Sequence, residues 1–288
     1  MADSSKRGFS VRIFLPEGDP DGIKLVEKSN WTGVGLVFPR TLFSEARKRP
    51  ELDRTGVYIL EGPPQKAALP RIYVGEGDPG RPRLEQHIKS KEFWTRAVVF
   101  TSTDKRLNKA HVQYLEARLV KLAAEAKRCE LENGNVPQLP TLSEPDTAEV
   151  DGFLSDILLC LPILGINVFE KAPVSVPKAI ELHLKGKGVE ATGFESPQGF
   201  IIRKGSGAVK EEVASIDAYL TRLRQELVEK GVLKNGQNGY VFSLDYVFTS
   251  PSTAGGVVLG RSTNGRTEWK DPSGRTLKVI QEAEIDGK

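Results

Sequence analysis

Five residues have side chains suited to act together on a charged substrate. They are Tyr58 in Gly56-Val-Tyr58, Tyr73 in Tyr73-Val-Gly75, Arg83 and His87 in Arg83-Leu-Glu-Gln-His87, and Glu116 in Tyr114-Leu-Glu-Ala-Arg118. Phenols and an imidazole can pass protons, a guanidinium can hold an anion, and a carboxylate can hold a hard cation. Alternation along strands puts Val57 and Ile59 on one face and Ile72 and Val74 on one face, so Tyr58 and Tyr73 fall opposite those aliphatics. If the two strands pair, both phenols point to one side. Arg83 and His87 are four apart and share a helix face. Glu116 edges the apolar stripe Leu115, Leu119, Leu122 and Ala126. A carboxylate there is costly to bury unless an arginine, a metal or a hydrogen bond compensates it.

The elements that position these residues are legible from pattern. Residues 9–39 read as strands with Gly-rich turns, and 41–52 as a short helix. Gly56–Leu60 and Arg71–Gly75 read as a hairpin, because Pro63, Pro64 and Pro70 leave no crossover helix between them. Pro82 opens a helix running to about Ser90. Trp94–Ser102 reads as a third strand, and 107–127 as a long helix. A turn follows at 130–137, then a helix over 144–161 with Ser143 as cap. Residues 171–215 read as strands and loops, 213–230 as an amphipathic helix, and the end as a Ser250-capped helix with a turn-rich pair of strands around Trp269. The expected divisions are a β-rich extension over 1–53, a site-bearing domain over 54–165, a connecting β/loop region over 166–212 and a small α+β domain over 213–288.

Composition narrows the function classes. With 288 residues, 39% hydrophobic and 27% charged, the chain has globular rather than fibrous or disordered composition. Its longest apolar stretch, Ile157–Phe169, is interrupted by Pro162, Gly165 and Asn167, so no membrane span or membrane partner is expected. The N-terminus lacks the apolar core of a signal peptide, which places the protein in the cytoplasm by expectation. Two cysteines and three histidines without zinc spacing point any metal site to oxygen ligands, and so to magnesium or manganese. Residues 71–128 carry 13 basic and 7 acidic residues, whereas 129–170 carry 8 acidic and none basic. The basic block suits a polyanion.

In this order, the triplets and the Arg, His and Glu that follow resemble the GIY-YIG nuclease superfamily over roughly residues 54–135. The resemblance implies an α/β (α+β) domain on a small central three-stranded mixed sheet flanked by helices. It implies a metal-dependent DNA endonuclease hydrolysing phosphodiesters, with restriction, mobile-element and phage-defence settings all suitable. Glu116 would hold Mg2+ or Mn2+ and Arg83 would meet charge on the phosphate. Tyr58 would be the general base, with Tyr73 and His87 orienting the water or relaying its proton. The family's late asparagine falls to Asn133, with Asn135 competing. A phenol pKa near ~10 puts the phenolate about 4 kcal/mol out of reach at neutral pH. Either the metal and Arg83 stabilise it, giving an alkaline limb to the rate, or His87 takes its proton. Cutting both strands then takes two protomers, as in a homodimer, or two visits.

Two further readings stand beside this one. The same fold can serve as a catalytically inactive nucleic-acid-binding module, although such a copy has no physical reason to retain all five groups. Gly75-Glu-Gly77-Asp-Pro-Gly80 also spells a dinucleotide loop, but Pro79 and Pro82 remove amides where a pyrophosphate would sit. Arg81 and Lys89 join the expected nucleic-acid contacts. So do Arg266, Lys270 and Arg275 around Trp269, in a stretch that resembles a small domain of unknown function often trailing such nucleases. Cations interleaved with an aromatic ring can hold a backbone and stack on a base.

Overall fold

Strands that are apolar on both faces must lie inside a sheet, and this governs the first half of the chain. The computed structural model describes residues 8–65, 68–173 and 179–287, and every count or absence below refers to these residues. The chain forms two units, Met1–Pro64 with Leu69–Phe169, and Gln65–Ala68 with Glu170–Lys288.

The first unit holds strands β1 (Val11–Phe14), β2 (Lys24–Lys28), β3 (Gly33–Pro39), β4 (Gly56–Gly62), β5 (Arg71–Gly77), β6 (Arg96–Ser102) and β7 (Glu130–Leu131). Its helices are α1 (Phe43–Ala46), α2 (Gly80–Ser90), α3 (Lys109–Ala126) and α4 (Glu144–Ile163). The strands form one seven-stranded sheet in the order β1-β2-β3-β6-β4-β5-β7. All pairs are antiparallel except β5 with β7, so the sheet is mixed. The expected three strands β6-β4-β5 are consecutive within it. The N-terminal strands extend the same sheet, because β3 pairs along the whole of β6 from Gly33 with Ser102 to Pro39 with Arg96. The sequence of β6 explains this. Ala97, Val98, Val99 and Phe100 are all buried, so neither face nor edge can be left to water.

The sheet separates two cores. Val57, Ile59, Ile72, Val74, Val98 and Phe100 pack with α3 and α4 residues such as Leu115, Leu119 and Ile157. Tyr58, Leu60, Ala97 and Val99 face the other way, onto Leu84 of α2, Trp94, Leu52 and Phe38. Each fully buried aliphatic or aromatic side chain contributes about 1.5–3 kcal/mol. Asn108 caps α3 by accepting from the His111 N–H, and Ser143 caps α4 by accepting from that of Asp146. The helix expected over 41–52 is divided: 3-10 turns at Arg40–Leu42 and Pro50–Asp53 flank the single turn of α1. Pro50 starts the second of these turns.

The second unit contains β8 (Leu182–Gly186), β9 (Val189–Ser196), β10 (Gly199–Ile202), β11 (Gly207–Ala208), β12 (Leu233–Gly236), β13 (Gly239–Phe242) and β14 (Tyr246–Phe248). They make a four-stranded sheet, β14-β10-β9-β8, and a three-stranded one, β11-β13-β12. Helices α5 (Ala218–Glu229), α6 (Pro251–Leu259), α7 (Gly265–Glu268) and α8 (Leu277–Ile285) complete it. The α+β class expected of the chain holds in both units. Helix α5 starts later than Val213 because Asp217 supplies the cap. The pair of strands expected around Trp269 is instead α7, single bridges from Lys270 to His183 and Thr276, and α8. Asn264 and Thr276 cap those two helices. No helix is long and apolar enough to cross a membrane.

Because β3 covers the edge of β6, a chain beginning at residue 54 should expose a long apolar strand and aggregate. Sedimentation and circular dichroism of that truncation test this. A monomeric, cooperatively melting fragment would contradict it.

Candidate active site

The pairing of β4 with β5 sets Tyr58 opposite Gly75. A Cβ at residue 75 would lie 2.5 Å from the Tyr58 hydroxyl, so the glycine makes room for the phenol. Tyr58 is fully buried and its hydroxyl shares a 2.8 Å hydrogen bond with Nε2 of His87 on α2. The Tyr73 ring meets the His87 ring edge-on at 4.9 Å between centroids and lies 6.4 Å from the Tyr58 ring. The sequence-predicted convergence of both phenols and the imidazole therefore holds. Lys91, one turn beyond His87, stands over the Tyr73 ring at 4.4 Å.

Arg83 lies exposed on α2 and donates to Gln86 at 2.9 Å. Glu116 is half-buried on α3. Its carboxyl is pushed up from the usual 4.5 to about 7, by burial first, then by Glu76, against the pull of Arg83 and Lys109. Glu76 accepts from Lys109 Nζ at 2.6 and 2.7 Å. It follows the second triplet directly and faces α3, an acidic residue that spacing alone did not mark.

Electrostatics couples these groups. Burial raises the Tyr58 phenol well above its ordinary value, with Tyr73 adding to it and Arg83 opposing. Burial and Glu116 raise Tyr73. His87 is lowered to about 4 by burial, Lys91 and Arg83, so it is neutral at neutral pH. Its Nδ1 is buried without a partner among the described residues.

Asn133 serves the scaffold. Strand β7 pairs with β5 at Arg71 and Ile72, and the Asn133 side chain continues that ladder. Its Oδ1 accepts from the Val74 N–H at 3.0 Å and its Nδ2 donates to the Val74 carbonyl at 2.8 Å. It thus braces the strand beside Tyr73. Asn135 is exposed.

The expected nucleic-acid contacts fare unevenly. Trp269 is fully buried, packs on Phe200 at 4.6 Å and donates its N–H to Pro251, so it offers no face to a base. Arg275 pairs with Asp271, whose pKa falls to about 2 chiefly through Ser273, so this arginine folds the turn. Arg266 donates to Gln281 and lies 3.8 Å from Glu282. Lys270 and Lys89 are exposed, and Arg81 pairs with Asp53 at 2.6 Å. The dinucleotide loop is spent internally: the Gly80 N–H, at the start of α2, donates to the Arg54 carbonyl.

Among known proteins, the model of a family described as a domain of unknown function (DUF4357) matches residues 182–281. That stretch begins at the first residue of β8 and ends inside α8. No curated protein and no solved structure matches the chain. The reading of residues 54–135 thus rests on their own geometry.

Two outcomes follow from this geometry. Gly75→Ala should displace the Tyr58 hydroxyl from His87 and cost about 1–3 kcal/mol of stability, while the fold survives in circular dichroism. A wild-type melting temperature in Gly75→Ala would refute the packing. In the metal-free protein, Glu116 stays protonated up to about pH 7, whereas the unfolded chain releases that proton near 4.5. Between these values the folded state binds more protons, so stability should fall as pH rises. Thermal melts should show a shallower slope for Glu116→Gln. An unchanged slope would contradict the buried carboxyl.

Proposed function

We propose that the protein is a metal-dependent endonuclease that hydrolyses phosphodiester bonds in DNA. The observation that carries this reading is one cluster in which Tyr58 bonds His87 at 2.8 Å while Tyr73, Arg83 and Glu116 act electrostatically on the same phenol. These groups come from two strands and two helices, so their meeting is a property of the fold.

The donor set fits magnesium or manganese. Magnesium keeps much of its water and needs only one or two carboxylates plus a substrate phosphate, a role Glu116 suits. When bound, such an ion would neutralise a non-bridging phosphate oxygen and steady the leaving oxygen.

The chain's own residues supply the rest. Arg83, exposed on α2, meets the phosphate. The attacking water adds to phosphorus and gives its proton to the Tyr58 oxygen, while Tyr58 passes its own proton to Nε2 of His87. The bond from phosphorus to the leaving oxygen breaks with Arg83 holding the charge that builds on the phosphate, solvent water protonates the leaving oxygen, and His87 returns its proton to solvent. Tyr73, partly open to solvent, orients the water. Burial pushes the Tyr58 pKa up, which favours the relay through His87 over a free phenolate. The limb expected in the rate profile is then the one set by Glu116.

Supercoiled plasmid with magnesium or manganese tests the proposal. The wild type should nick it, Glu116→Gln should not, and Arg83→Ala should lose about 10²–10³ in rate. Nicking should rise with pH through about 7, where Glu116 ionises, and more metal should move that limb to lower pH. Binding without cutting by the wild type would favour the inactive module, and full activity in Glu116→Gln would reject the site.

A further inference from the structure

Two clefts in the first unit serve neither the cluster above nor the core. One, about 340 Å³, is lined by Trp31, Ser102, Leu107, Glu149, Gly152 and Phe153 among others. The second, about 220 Å³, is lined by Arg54, Thr55, Asp78, Ser102, Lys105 and Leu107 among others. They share the lining residues Ser102 and Leu107, so they lie side by side as a two-part groove at the end of β6. The first volume alone is within the range of small-ligand sites.

The two ends of the groove differ in chemistry. At the wider end Trp31 is partly exposed, with its Nε1 buried and its ring packed near Phe153 at 5.0 Å and Phe100 at 6.1 Å. Glu149 is exposed beside it, and Asp156 is already neutralised by Lys28 at 2.9 Å. At the narrower end Arg54 and Lys105 have no carboxylate partner among the described residues. The acids there are engaged: Asp53 pairs with Arg81, and Asp78 accepts from Thr55. Gly152 on α4 completes the wall. A Cβ there would meet nothing within 4 Å, so the groove is open at that point.

We propose that this groove is a nucleotide-binding subsite, with the base against Trp31, its amino edge toward Glu149, and its phosphate between Arg54 and Lys105. An aromatic wall accepts any base face, and a carboxylate accepts from the exocyclic amine of cytosine or adenine but gains nothing from thymine. Two unpaired cations fix the direction of the phosphate. The exposed Glu149 at the wide end repels a phosphate and so favours that orientation. The ligand class rests on the nucleic-acid reading above, but the site does not depend on cleavage. Thr55 precedes the Gly56-Val-Tyr58 triplet and Asp78 follows β5, so a nucleotide held here would register a strand relative to the catalytic hairpin.

Tryptophan fluorescence reads the site in the full-length protein. Trp94 and Trp269 are fully buried, so quenching by a bound base reports Trp31. Deoxycytidine monophosphate should quench saturably and bind about fivefold or more tightly than thymidine monophosphate. Glu149→Gln should erase that preference. Gly152→Leu should fill the groove and weaken binding about tenfold or more with an unchanged melting temperature, and Arg54→Ala with Lys105→Ala should do the same. A single-stranded oligonucleotide binding at least about tenfold tighter than the mononucleotide would identify a polymer as the natural source; equal affinities would identify the free nucleotide. No saturable quenching by either probe, or quenching that survives Gly152→Leu, overturns the proposal. Quenching retained in Glu116→Gln, or in a wild type that does not nick plasmid, would separate this site from the nuclease reading.

Discussion

The hydroxyl of Tyr58 reaches His87 because residue 75, its cross-strand partner, has no side chain. That close approach fixes the register of β4 on β5, the distance of α2 from the sheet, and the ring of Tyr73 against the imidazole. Asn133 then ties the far side of β5 to the chain that follows α3. The phenols are therefore held by backbone pairing on both edges of one strand. A slip of one residue would turn them to the α3 side.

The electrostatic consequence is a cluster at odds with its surroundings. Burial keeps Tyr58 protonated, His87 neutral and Glu116 short of full ionisation at neutral pH. All three shifts oppose charge, and a divalent cation with a phosphate dianion or diester would supply the counter-charges that the free protein lacks. Lys109 bound to Glu76 and Lys91 over Tyr73 keep two cations at the rim meanwhile. In the account proposed, substrate and metal complete an arrangement that the fold leaves unfinished.

Much of this was readable from residue order. Period-two alternation gave Tyr58 and Tyr73 a common side, and four-residue spacing put Arg83 and His87 on one face. The same spacing continues to Lys91, which could have been marked. Glu76 was harder to see, because its role depends on Lys109, and only packing of α3 on β5 brings the two together. The width of the sheet was hidden for a similar reason: β3 looks like a strand, but its pairing with β6 is long-range. Around Trp269 the interleaved cations and aromatic suggested a binding face. Local capping by Asn264 and Thr276 made helices there instead, and the indole became core.

Anomalous diffraction from crystals soaked in manganese addresses the central claim most directly, since it locates the ion without relying on catalysis. The account predicts a peak coordinated by the Glu116 carboxylate, in the space that Tyr73 and Arg83 face, and its loss in Glu116→Gln. Manganese bound only elsewhere, with Glu116 unligated at saturating metal and alkaline pH, would contradict it.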